Sequence, residues 1–249
     1  MDIPTSASIH VCARGAGSDR SLGALERLAV VARYEVGESV YRCNEPVEHW
    51  YRVVRGAARK SALSSDGRRQ IVDFMLPGDV FGLGFSRPRH FCVEAIFPAT
   101  LIARYPRASV ERLADSDPLI AHNIRELAFE TIARLQGRLV TLSRSKALER
   151  VSSFLLEMAD RSRIGPGHPV FLPMSRYDIA DYLGLAVETV SRALTELRQR
   201  QVIAFRSARQ VRICDRGALE ELAEKPGAQL SRPRPAAPVR RPDTNQLSN

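Results

Sequence analysis

The chain has 249 residues, of which 44% are hydrophobic, and a net charge of +9; that length allows one or two domains with a sizeable core. No run of about 18 apolar residues is present to cross a membrane, and the segment "MDIPTSASIHVCARGAGSDR" lacks the apolar stretch of a secretory signal. The positive charge leans towards an anionic partner but is spread along the chain, so a nucleic-acid reading needs a motif rather than bulk charge.

The four cysteines, Cys12, Cys43, Cys92 and Cys214, are far apart and form no CxxC. Their spacing argues against a structural zinc site and against a disulfide framework, and predicts reduced thiols in a cytoplasmic protein. No P-loop, HExxH, GxSxG or clustered Ser/His/Asp pattern is present, so the expectation is a non-enzyme with no metal site.

Residues 1–20 are polar and Gly/Ser-rich and read as a flexible N-terminus. "SLGALERLAVVARYEV" has helical spacing at Leu22, Leu25, Leu28 and Ala29, with Ser21 placed to cap it. From Val36 onwards, short β-rich runs alternate with turn signals at Asn44-Glu45-Pro46, Gly56, Ser65-Asp66-Gly67 and Pro77-Gly78-Asp79. Such spacing predicts a small barrel or roll, so residues 21–117 form the first domain.

Helical pattern resumes near Arg107, and residues 118–143 form one long segment with a single breaker, Gly137. Within it Ala128, Ile132, Leu135, Leu139 and Leu142 recur at steps of four and three, which is heptad spacing. Arg125, Glu126, Glu130, Arg134 and Arg138 occupy the other side. The pattern suits either the seam of a coiled-coil homodimer or a helix lying on its own barrel.

Residues 144–225 read as helix, Gly/Pro loop, two short helices around Gly184, hairpin and a last helix. In "MSRYDIADYLGLAVETVSRALTELRQRQVI", Ser175 and Asp178 have capping-box spacing, and Gly184 stands where a left-handed C-cap is needed. A helix, a Gly-containing turn and a second helix make a helix-turn-helix, and a following hairpin makes it winged. On the second helix Glu188, Ser191 and Arg192 share a face turned away from the apolar Val190, Ala193, Leu194 and Leu197. Taken alone, Glu188 and Arg192 are an ordinary i,i+4 pair, worth about 0.3–0.5 kcal/mol. In a helix-turn-helix this end enters the major groove. Arg192 can then donate twice to guanine, Glu188 can accept from cytosine or adenine, and Val187 or Thr189 can meet a thymine methyl. Ser175, Arg176, Thr189 and Arg209 are the candidates for the DNA backbone. Residues 226–249 are Pro- and Arg-rich and read as a disordered tail.

From about Leu22 to Glu224 the chain resembles the Crp/Fnr superfamily of bacterial transcription regulators. The resemblance rests on "VGESVY…YRVVRGAAR…DGRRQIVDFMLPGDVFG", on the long helix, and on "DIADYLGLAVETVSRALTEL". The run Val187-Glu188-Thr189-Val190-Ser191-Arg192 is similar to the FixK-like branch. The implied fold is α+β: an N-terminal cyclic-nucleotide-binding-type β-roll, a dimerisation helix over 118–143, and a C-terminal winged helix-turn-helix over 144–225. The implied partners are palindromic double-stranded DNA with TTGA-type half-sites, RNA polymerase and a second copy of the chain. By the same resemblance Glu188 and Arg192 read the G·C region and Ser191 a thymine. Ala186 departs from the family, whose members often carry Ser or Thr there.

No cofactor is expected. After "PGDVFG" the chain reads "LGFSRPRHFCVEAIF", with Gly84 but no following Glu and no Arg-Ser or Arg-Ala pair for a cyclic phosphate. Only Cys12 lies near the N-terminus, where the Fnr type carries a cysteine trio for an iron–sulfur cluster. The alternative is a ligand- or haem-dependent sensor of the same fold, with His10, His49, His90, His122 and His168 as conceivable axial ligands. Cys214 reads as a buried strand residue or as a redox-active thiol near DNA. The loop Phe85 to Arg89, basic and aromatic, is the candidate contact for RNA polymerase.

Overall fold

In the computed structural model the described residues are 25–224, apart from 44, 47, 64–68, 84–90, 145 and 163–167. The expectations for residues 1–20, the Ser65-Asp66-Gly67 turn, the Phe85 to Arg89 loop and the tail 226–249 lie outside them. Eight strands come first: β1 (Val30–Tyr34), β2 (Ser39–Tyr41), β3 (His49–Arg55), β4 (Ala58–Leu63), β5 (Arg69–Met75), β6 (Val80–Phe81), β7 (Phe91–Ala95) and β8 (Thr100–Pro106). They form two four-stranded antiparallel sheets, ordered β1-β8-β3-β6 and β2-β7-β4-β5. Between the sheets lie Tyr41, Tyr51, Val53, Phe81, Val93 and Ile102, all buried. The Tyr51 and Phe81 rings stack at 5.1 Å, and Tyr41 closes on Tyr51 at 5.5 Å. The β3–β4 turn requires glycine: Gly56 has φ +86°, and a Cβ there would stand 2.8 Å from the Thr100 Cα.

The extent of the expected first helix is corrected, its start at Ser21 and Leu22 lying outside the described residues. Residues 25–27 are helical, and the chain then turns into Val30–Tyr34, which pairs with β8 from Val30 opposite Arg104 to Tyr34 opposite Thr100. Leucine spacing favoured helix, but the β-branched Val30 and Val31 supply a strand that the sheet edge of β8 completes. The reduced-thiol expectation is also corrected, because Cys43 and Cys92 are disulfide-bonded with Cα atoms 4.6 Å apart. Sequence separation hid this: β2 pairs with β7, Tyr41 opposite Val93, which brings the residues just beyond each into reach. Cys43→Ser should therefore lower the thermal midpoint of oxidised protein, with a cost of about 2–4 kcal/mol. Calorimetry with and without reductant checks it; equal midpoints for variant and parent under oxidising conditions would show that the bond contributes nothing.

Among the described residues six helices follow: α1 (Arg107–Ser116), α2 (Pro118–Ser143), α3 (Ala147–Arg161), α4 (Arg176–Leu183), α5 (Val187–Gln199) and α6 (Arg216–Glu224). Helix α2 starts at Pro118 after Asp117, whose side chain accepts from the Leu119 N–H at 2.9 Å. It has two unlike sides. Arg134 reaches Asp73 at 2.8 Å, and Arg138 donates to the Ile71 carbonyl at 2.6 Å, so the basic side lies on the chain's own roll. The other side leaves Ile132 49%, Leu135 38% and Leu139 68% exposed, flanked by Phe129 and Val140 at 57% each; Ala128 and Leu142 are half-buried. The reading as a helix lying on its own roll is met by the basic side, while the apolar side is left uncovered by the chain's own residues.

Strand β9 (Val170–Phe171) joins the expected hairpin of β10 (Ile203–Ser207) and β11 (Gln210–Ile213) as a third strand, with Val170 opposite Val211. A single apolar cluster runs through this half and into the roll. Ile71, Phe74 and Ile96 of the roll join Phe154, Tyr182, Leu183, Leu194 and Leu197. The Phe74 and Tyr182 rings are 5.0 Å apart.

Candidate DNA-reading interface

Helix α4 begins with both halves of a capping box. The Asp178 N–H donates to Ser175 Oγ at 3.1 Å, and the Ser175 N–H donates to Asp178 Oδ2 at 3.0 Å. Its end is fixed by Gly184 in the left-handed region, φ 62° and ψ 43°. The Leu185 N–H then returns to the Ala180 carbonyl at 3.0 Å, so the turn is tight. Helix α5 packs Val190, Ala193, Leu194 and Leu197 inwards against Ile179, Ala180 and Leu183. That burial sets the rotation of α5 and leaves Glu188, Ser191 and Arg192 exposed together, with Val187 and Thr189 half-buried beside them.

Glu188 and Arg192 make no ion pair with each other among the described residues, whereas Glu196 and Arg200, two turns on, do. The reading of Glu188 and Arg192 as an ordinary i,i+4 pair is therefore corrected. Both side chains point out with their polar ends uncommitted, as groups awaiting base edges do. One turn past Ser191 and Arg192, Thr195, Glu196 and Gln199 continue the same shallow groove. Thr195 and Gln199 were missed in the sequence reading, although Thr195 stands at i+4 from Ser191 and Gln199 at i+7 from Arg192, on the same helix face.

The backbone candidates separate. Ser175 spends its hydroxyl on Asp178, donating to Oδ2 at 2.7 Å. Arg176 lies over the Phe205 ring at 5.1 Å, bracing α4 against the wing, and burial pulls its guanidinium below its ordinary value. Arg209 lies 5.7 Å over Phe97 of the roll, facing the first domain rather than open solvent alone. The sequence reading passed over Tyr177, 69% exposed at the first turn of α4, and the exposed Arg206 and Arg212 on the wing. Cys214 lies past the end of β11 and is exposed, which corrects its reading as a buried strand residue.

Ala186 is the N-cap of α5, and no side chain accepts from the first-turn N–H groups. Ala186→Ser should stabilise the fold by about 1 kcal/mol, read as a higher denaturant midpoint at constant slope. An unchanged or lower midpoint would mean that serine cannot adopt the cap there.

Comparison with known proteins agrees with this architecture. A Crp-like helix-turn-helix domain model matches residues 149–222, and a cyclic nucleotide-binding domain model matches residues 31–117. Nitrogen fixation regulation protein FixK of Rhizobium meliloti is 42% identical over 193 residues, covering 78% of this chain and 87% of the relative. FixK of Azorhizobium caulinodans is 41% identical over 219 residues, covering 84% and 87%. Among solved structures, FixK2 from Bradyrhizobium japonicum superposes with a TM-score of 0.72 at 41% identity, covering 78% of this chain and 96% of that one. The chain therefore belongs to the Crp/Fnr superfamily of DNA-binding transcription regulators, in its FixK-like branch.

Proposed function

We propose that the chain is a homodimeric transcription activator that reads a palindrome of TTGA-type half-sites, with Arg192 on guanine, Glu188 on cytosine or adenine, and Ser191 at a thymine. The observation that carries the reading is the exposed, unpaired trio at the N-terminal end of α5, rigidly presented by a capped helix and a Gly184 turn. The apolar stripe of α2 supplies the seam that would set two such helices about 34 Å apart. RNA polymerase is the further partner expected of an activator. The names of the relatives, nitrogen fixation regulation proteins, support a role in the control of nitrogen fixation, and the family resemblance adds oxygen-limited respiration.

The protein works without a small-molecule effector in this reading. Support comes from the roll interior, which the chain's own Tyr41, Tyr51, Phe81 and Ile102 fill. A cluster of the Fnr type does not fit the thiols present: Cys43 and Cys92 are bonded to each other and Cys214 stands on the wing. Among the described residues no three His, Cys, Asp or Glu side chains come together as metal ligands.

The test is fluorescence anisotropy on protein purified in air, with a TTGAT-N4-ATCAA duplex and a scrambled competitor. Specific binding that falls steeply with salt is expected. Binding only after haem or another ligand is added would favour the effector-dependent sensor instead.

A further inference from the structure

The reading face is well built, yet its use on a palindrome depends on where the whole helix-turn-helix sits. Four separate contacts tie that half to the roll of the same chain. Arg59, on β4, spans two carboxylates: one nitrogen donates to Glu94 on β7 and the other to Asp178 on α4. Arg69, on β5, reaches Asp181 at 3.3 Å and Asp178 at 3.5 Å. Arg138 of α2 donates to the Ile71 carbonyl at 2.6 Å and to the Tyr182 carbonyl at 3.2 Å, joining the roll to the last turn of α4. At the far end, Phe97 meets Phe171 edge-on at 5.3 Å and lies beneath Arg209 of the wing.

Asp178 is the pivotal group. It is buried, it closes the capping box of α4, and it takes the arginine from the roll. A buried carboxylate without a cation is strongly disfavoured, so α4 has one low-energy seat on the roll. Because α5 is packed on α4 through Val190 and Leu194, seating α4 also sets the direction of the reading face. The contacts leave Glu188, Ser191 and Arg192 uncovered, so the seat presents the trio rather than masking it.

We infer that Arg59, with Asp178 and Phe97, forms an intramolecular seat that holds the recognition helix in its DNA-reading orientation, the task that a bound effector performs in a ligand-gated sensor. These are positioning residues, and the inference rests on the proposed reading of a palindrome by α5. If the seated form is the competent one, loosening the seat reduces the competent fraction and weakens binding in proportion. Base discrimination stays intact, because the reading residues are untouched.

The experiment uses the full chain with spin labels at Val36 on the roll and Gln199 at the end of α5, labelled chains being diluted into unlabelled ones. DNA binding is read on the TTGAT-N4-ATCAA duplex with unlabelled protein, since Gln199 lies in the reading groove. Arg59→Met is expected to broaden the label-to-label distance distribution and to weaken DNA binding about tenfold, with the ratio of specific to scrambled affinity preserved. Asp178→Asn should act alike, and the Arg59→Met/Asp178→Asn double variant should be no worse than either single one. Arg59→Lys should restore binding only in part, since one ammonium cannot serve both carboxylates in the geometry of a guanidinium. Phe97→Ala, a half-buried loop change, tests the wing contact independently and decides the matter if the Arg59 variants do not fold. A narrow distribution with unchanged affinity in the folded variants overturns the inference. A gain in affinity also overturns it, because the seat would then hold the helix away from DNA. If the parent protein fails to bind the duplex, the half-site reading fails, while the distance distributions still decide whether the seat exists.

Discussion

Arg192→Ala weakens binding to the palindrome by about 1–3 kcal/mol per half-site, roughly 5- to 150-fold, and relaxes selectivity at one base pair. The size follows from what the guanidinium is free to do. It stands exposed on the outer face of α5, and no ion pair to Glu188 has to be broken before it meets DNA. Two parallel hydrogen bonds to guanine O6 and N7 are then net gains in a partly desolvated groove. Were Arg192 only part of a surface ion pair, its loss would be worth a few tenths of a kcal/mol. Were it a phosphate contact, binding would fall evenly over all sequences and the salt slope would drop by about one. Anisotropy against a panel of half-site variants, repeated over a salt series, separates these cases. Equal losses on every duplex would remove Arg192 from base reading. Arg192→Lys should recover charge but little selectivity, since an ammonium has no planar fork.

Ile132→Glu combined with Leu139→Glu converts the protein to monomers and abolishes tight binding to the full palindrome. Both residues lie on the stripe of α2 that the chain's own roll leaves uncovered, 49% and 68% exposed. Burying an aliphatic side chain of this size is worth about 1.5–3 kcal/mol, of which a half-exposed residue has much still to gain on pairing. The double substitution removes that gain from both protomers and sets carboxylates against each other across the seam, where charge is costly to bury. Several kcal/mol lost in this way is a factor of hundreds or more in the dimer constant. With the dimer gone, the second half-site no longer benefits from a high effective concentration. Sedimentation on the variant reads the first effect and anisotropy the second. A variant that still sediments as a dimer places the seam elsewhere. The arginine side of α2 should not be touched in this test, since Arg134 and Arg138 hold the roll.

Much of this protein is determined locally and was legible as sequence. The span 118–143 coincides with α2, and the capping box, the Gly184 cap, the inward face of α5 and its outward trio follow from spacing of 3.6 residues and from cap chemistry. Such features depend on neighbours within a turn or two, so the chain carries them whatever lies around it. Contacts between distant segments were decided by the tertiary structure alone. Val30–Tyr34 became a strand because β8 offered an edge, and Cys43 met Cys92 because β2 pairs with β7. Heptad position put Arg138 only on the side opposite the apolar stripe, and packing of α2 on the roll set it on the carbonyls of Ile71 and Tyr182. Asp178 was legible as a helix cap and illegible as the partner of Arg59, 119 residues away. Spacing along one element specifies what that element presents; which long side chain of another element meets it is set by how the two pack, and short-range periodicity carries no record of that.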